Sequence, residues 1–80
     1  MIIFSGITTQ YKSPTDTKGT RIIASYIGKE EYIHPWDYGI DTTDNHYQAA
    51  QGLRVKLGWL SDIKSGCIIK TGYVWAVNRL

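Results

Sequence analysis

One run of helical spacing, set between stretches of strand-like alternation, limits what this chain can fold into. His46, Ala49, Ala50, Leu53 and Leu57 fall at i, i+3, i+4, i+7 and i+11, which is one stripe of an amphipathic helix. Asp41, Thr42, Thr43 and Asp44 precede it. All four are competent N-caps, and the two carboxylates suit the positive end of the helix dipole. Arg54 and Lys56 occupy the last turn and Gly58 the position that stops a helix. Val55 lies off the stripe, and Gly52 weakens the middle by about 1 kcal/mol relative to Ala. A single helix covers one side of a sheet, so the other side is either solvated or an interface.

Strand patterns occupy the rest. From Ile2 to Lys12, Ile7, Thr9 and Tyr11 share one face and Thr8 and Gln10 the other, with Gly6 a candidate bulge. The stretch from Ser13 to Thr20 consists of turn formers and reads as an ordered surface loop. A second strand is expected from Arg21 to Gly28. A third follows from Glu31 to His34 after a turn at Gly28-Lys29 or Lys29-Glu30, and it ends at Pro35. Trp36 to Ile40 form an irregular connection to the helix. Beyond it, Gly66 to Lys70 pair with Tyr73 to Val77 across Lys70-Thr71-Gly72. Tyr73, Trp75 and Val77 share one face, Val74 and Ala76 the other. Both faces are apolar, so that strand is either central or exposes an aromatic face for binding. The order β-β-β-α-β-β predicts an α+β fold: a single antiparallel sheet with one helix packed on one face.

Eighty residues make one domain, spanning residues 1–80. The 42% hydrophobic content is enough to fold. With one cysteine, Cys67, no internal disulfide forms. The opening Met1 to Gly6 lacks the basic leader and long apolar run of a signal peptide, and no window approaches the roughly 20 apolar residues of a membrane span. These features predict a cytoplasmic protein with no membrane partner. Nine basic against seven acidic residues give a net charge of +2. That permits nucleic-acid binding without demanding it.

Signals for catalysis are sparse. His34, Asp37, Asp41, Asp44 and His46 show no recognised ligand spacing, and helix capping and the apolar stripe account for three of them, so no metal site is expected. Cys67, between Gly66 and Ile68, reads as a small buried strand residue rather than a nucleophile. Glu30 and Glu31 are adjacent and point to opposite faces, unlike an acid–base pair. No phosphate-binding glycine loop is present. We therefore expect no enzyme, no catalytic residue and no cofactor. Two segments suggest binding instead. Tyr11, Lys12, Lys18 and Arg21 flank the polar loop, where cations and backbone N–H groups suit phosphates and tyrosine suits base stacking. A self-bonded loop, with Thr15 and Asp16 closing turns, is the plainer account of the same residues. Trp36 and Tyr38, beside His34-Pro35, form an aromatic anchor for a partner or a plug for the core; with Tyr73 and Trp75 they are the candidate partner-binding residues.

The motif Tyr11-x-x-Pro14-Thr15-x-Thr17-Lys18-Gly19-x-Arg21-Ile22-x-Ala24 resembles the opening of small proteins encoded by phages, prophages and other mobile elements. The likeness continues through Pro35 to Tyr38. It resumes at Asn45, His46, Ala49, Ala50, Leu53, Lys56, Leu57, Gly58 and Trp59, and at Gly72, Tyr73 and Val74. Ser65-Gly66 stands where those proteins carry a longer glycine run. The resemblance carries over no catalytic residue. What it implies is an accessory protein that binds a host protein or protein–nucleic-acid complex, such as a CRISPR or restriction system, and inhibits or redirects it. The alternative from the residues is a nucleic-acid-binding module built on the basic loop. A third is a homodimeric assembly module using Trp75 and an edge strand.

Overall fold

The computed structural model describes residues 3–78. It forms five strands and one helix in the order β1 (Ser5–Lys12), β2 (Arg21–Tyr26), β3 (Lys29–Pro35), α1 (Thr42–Lys56), β4 (Ile63–Ile69) and β5 (Gly72–Val77). All neighbouring strands are antiparallel, in the spatial order β3-β2-β1-β5-β4. The α+β expectation of one sheet with one helix on one face is therefore met. Ile2, the expected start of the first strand, lies outside the described residues. Among these residues no helix is long and apolar enough to cross a membrane.

The helix forms where its caps and stripe place it. The Asp41 carboxylate accepts the Asp44 N–H at 2.8 Å, satisfying one of the free donors of the first turn. At the other end Gly58 takes φ +77°. There the Trp59 N–H reaches the Arg54 carbonyl at 3.1 Å and the Gly58 N–H the Val55 carbonyl at 3.0 Å, a Schellman closure. Ala49, Ala50 and Leu53 are wholly buried against Ile7, Ile22, Ala24, Trp75 and Val77. His46 is buried too, while Val55 faces solvent as its position off the stripe requires. Gly52 lets α1 approach β3: a Cβ there would lie 2.4 Å from the Tyr32 ring.

Several details depart from the expected strands: β3 begins at Lys29 rather than Glu31 and β4 at Ile63 rather than Gly66. The turn between β2 and β3 is Ile27-Gly28, with φ +52° and +73°. Both residues are left-handed, as the twist of a two-residue hairpin favours. A β-branched residue resists that conformation, which is why the sequence pointed one or two residues further on. The bulges lie at Ala24/Ser25 and Ile63/Ser65 rather than at Gly6. Gly6 stays in regular register with Ala76. Cys67 is exposed, not buried, because β4 is an edge strand that α1 does not cover.

Candidate functional site

The alternation of each strand sorts the surface. Every aromatic residue of the five strands (Tyr11, Tyr26, Tyr32, Tyr73 and Trp75) stands on the α1 side, in register with the buried Ile7, Thr9, Ile22 and Ala24 or beside them. The opposite face has no helix over it. Its middle carries Thr8, Gln10, Ile23, Ser25, Val74 and Ala76, a small and largely uncharged set. Ile33 of β3 joins it, 56% exposed, and no aromatic stands there to stack a base.

The four expected partner-binding residues do not make one surface. Trp75 is 7% exposed, and its indole N–H donates to the Thr9 hydroxyl at 3.0 Å. Burial of a paired indole makes it a core residue. Tyr73 is half-buried, stacked on Trp75 at 5.6 Å between ring centroids, and its hydroxyl meets that of Thr43 at 2.9 Å. Trp36 is half-buried and packs edge-on against Tyr11 at 5.5 Å. Tyr38 alone projects, 84% exposed. Both apolar faces of β5 had left the orientation open. The structure resolves it: β5 is internal, and its aromatic face turns towards α1.

Asn45, which the sequence marked only as part of the helix motif, positions the Trp36–Tyr38 segment. Fully buried, it accepts the Asp37 N–H at 2.8 Å and donates to the Asp37 and Asp41 carbonyls, both at 3.0 Å. One carboxamide thus pairs a backbone that has no strand beside it. The Trp36 N–H reaches the Thr20 carbonyl at 3.1 Å, tying the same segment to the end of the polar loop.

The basic residues do gather. Lys12 and Arg21 are directly opposite across β1 and β2, both on the uncovered face. Lys18, Gly19, Thr20, Arg21, Ile33 and Pro35 line a hollow of about 290 Å³ at that corner. Much of the loop is self-bonded, however. The Thr15 N–H donates to the Lys18 carbonyl at 2.7 Å and the Lys18 N–H to the Thr15 hydroxyl at 3.1 Å. The Arg21 guanidinium donates to the carbonyls of Gly19 at 3.2 Å and Ser13 at 3.4 Å. Arg21 is therefore in part a brace for the loop, while Lys12 and Lys18 have no ion-pair partner among the described residues. Two like charges directly opposed in a sheet are unfavourable by themselves, so this corner favours an anionic group.

A second hollow, about 480 Å³, runs between α1 and β3, lined by Tyr32, His34, Gln48, Gln51, Gly52, Val55 and Lys56. The His34 Nε2 in its wall has no hydrogen-bond partner. Among the described residues no three His, Cys, Asp or Glu side chains come together in a metal-holding group. Comparison with protein-family models, curated proteins and solved structures finds no match to the chain.

Proposed function

We propose that this chain is a small binding protein of the phage accessory kind, which docks on a host protein complex and inhibits or redirects it without catalysis. The observation that supports this reading is the uncovered sheet face. A five-stranded sheet with one helix leaves half its area unclad, and here the middle of that half carries small, uncharged and apolar side chains around Ile33, Val74 and Ala76. Such a set suits a protein surface better than a nucleic-acid base, because its aromatic residues have all gone to the other side. The cationic corner at Lys12 and Lys18 lies at its margin, where polar rim contacts belong.

A tagged-protein capture from host lysate tests this, run with and without nuclease and repeated with Ile33→Lys and Tyr38→Ala. We expect a protein partner that resists nuclease and is lost with Ile33→Lys. The same proteins captured equally by both variants would remove the uncovered face from the account.

The second reading, a nucleic-acid module, draws on the like-charged pair Lys12 and Arg21 and the hollow that Arg21 lines with Lys18. It expects Lys18→Ala and Lys12→Ala each to weaken binding of a single-stranded oligonucleotide and to flatten its salt dependence by about 0.7 in the log–log slope per phosphate contact. Unchanged affinity and slope in both variants would end it.

A further inference from the structure

The two edges of the sheet are treated differently. On β3 the free edge is shielded. It carries a bulge and Pro35, and the charged Lys29, Glu30 and Glu31. The Lys56 ammonium reaches over from α1 to the Glu31 carbonyl. These are the devices by which sheets discourage further pairing. On β4 a bulge at Lys64 is present, but there is no proline, and among the described residues no side chain reaches over from α1. Every residue from Lys64 to Ile69 is exposed, and α1 packs over β1, β2 and β3 without covering this strand. The closing pair of a two-residue hairpin, Ile69 and Gly72, is hydrogen-bonded, and bonding alternates along the ladder. Cys67 and Ile69 therefore face β5, while Gly66 and Ile68 direct their N–H and C=O groups to the open side. Ile68 is 79% exposed with no side chain packed over it to explain its apolar character.

Charge points to the occupant. From Ile63 to Asn78 there is no acidic residue, and Lys64 and Lys70 bracket the open strand. The ion pair found among the described residues, Lys29 with Glu31, is on the opposite edge. A second copy laid antiparallel across β4 and centred on Cys67 would set Lys64 against Lys70 twice, and opposed like charges destabilise a sheet. A strand that ends in carboxylates places one beside each ammonium instead.

We infer that β4 accepts an extended, acid-ended segment of a partner protein as a sixth strand of the sheet. This rests on the binding reading above and names the edge used and the chemistry of what it takes. Backbone groups of Gly66 and Ile68 supply the ladder, Ile68 and Cys67 meet alternating small apolar residues on the two faces, and Lys64 and Lys70 select the ends.

The probe is a synthetic peptide of alternating valine and threonine with aspartates at both ends, compared with the same peptide ended by lysines. Binding to the whole chain is read by fluorescence anisotropy, and Ile68→Pro removes one outward N–H at a position where an edge strand tolerates proline. We expect the aspartate-ended peptide to bind at least about tenfold tighter than the lysine-ended one and to lose about as much with Ile68→Pro. A Lys64→Glu, Lys70→Glu double variant should reverse the preference, which a loss of folding cannot do. Equal binding of the two peptides, no binding of either, or binding indifferent to Ile68→Pro overturns the inference. So does a concentration-dependent dimer in sedimentation that Ile68→Pro abolishes, since the occupant is then a second copy. A lysate partner retained by Ile68→Pro but lost with Ile33→Lys leaves the binding function standing and overturns only the edge. Selective peptide binding with no lysate partner does the converse.

Discussion

Nδ1 of His46 lies 2.8 Å from the hydroxyl of Thr9, so the first turns of the helix and the central strand meet through a polar contact inside the core. The same hydroxyl accepts the indole N–H of Trp75 at 3.0 Å. An indole only donates. Where Nδ1 of a neutral His46 is the acceptor, the donors run from Trp75 to Thr9 and from the Thr9 hydroxyl to His46, with the ring proton on Nε2. Burial lowers the pKa of His46 below its usual value, and the Thr9 backbone offsets part of that.

A pH dependence follows from the direction of that shift. In the unfolded chain His46 titrates near about 6.5, and in the folded chain lower. Between the two values the unfolded state binds more protons, so stability rises with pH in that window. The contribution is complete above the unfolded value and is lost as pH falls below it. Urea midpoints at about pH 7.5 and pH 5 should fall more steeply for the natural chain than for His46→Gln. Parallel lines for the two proteins would contradict the assignment.

Asn45→Ala should destabilise the fold by about 2–3 kcal/mol, because it leaves the Asp37 N–H and buried carbonyls without partners. The loss should be accompanied by a change in near-ultraviolet dichroism as Trp36 loses its fixed seat beside Tyr11. A stability within 0.5 kcal/mol of the natural chain would mean that water replaces the carboxamide at about no cost.

Ile27 is a β-branched residue at φ +52°, 81% exposed. It carries strain with little packing to compensate. Ile27→Asn should stabilise the chain by about 1 kcal/mol, since asparagine tolerates the left-handed region of the hairpin turn. Thermal or urea unfolding gives the difference directly, and a loss of stability would show that the exposed isoleucine packs on something.

At Gly52 two effects oppose each other. Alanine gains about 1 kcal/mol of helix propensity, but its Cβ would stand 2.4 Å from the Tyr32 ring. Gly52→Ala should therefore destabilise the natural chain and stabilise a Tyr32→Ala background. The coupling between the two, measured as a double-mutant cycle, should exceed about 1 kcal/mol. Additive effects would show that the ring swings away freely.

The parts of the fold that could be read from the sequence are those set by one local pattern. The stripe from His46 to Leu57 and Gly58 placed the end of α1, and its start fell among the four cap candidates, at Asp41. The alternation through Ile7, Thr9 and Tyr11 gave the inward face of β1. Hidden features depended on partners distant in sequence. Val74 and Ala76 are as apolar as the aromatic side of their strand, so nothing local to β5 told which face α1 would cover. Gly52 looked like a weak point until Tyr32 was seen against it. Asn45 looked like another polar residue near a helix start, because its partners Asp37 and Asp41 are backbone groups that any residue has. At the candidate surface, the neighbouring cations Lys12, Lys18 and Arg21 were legible. The uncovered strand between Lys64 and Lys70 was not, because its exposure follows from where a helix elsewhere in the chain comes to rest.

The strand order has a consequence for assembly in time. β2 and β3 close on a two-residue turn, and so do β4 and β5. Each hairpin is local and forms early, because little loop entropy opposes it. The seam between the halves is different. β1 pairs with β5, and the Thr9–Trp75 hydrogen bond that crosses it spans 66 positions. During synthesis the centre of the sheet stays open until β5 has emerged, with the aromatic side of β1 and β2 waiting for a partner. The slow step of folding is the zipping of β1 to β5, and linking the start of β1 to the end of β5 while cutting the β3–α1 connection should turn that distant pairing into a local one and speed it.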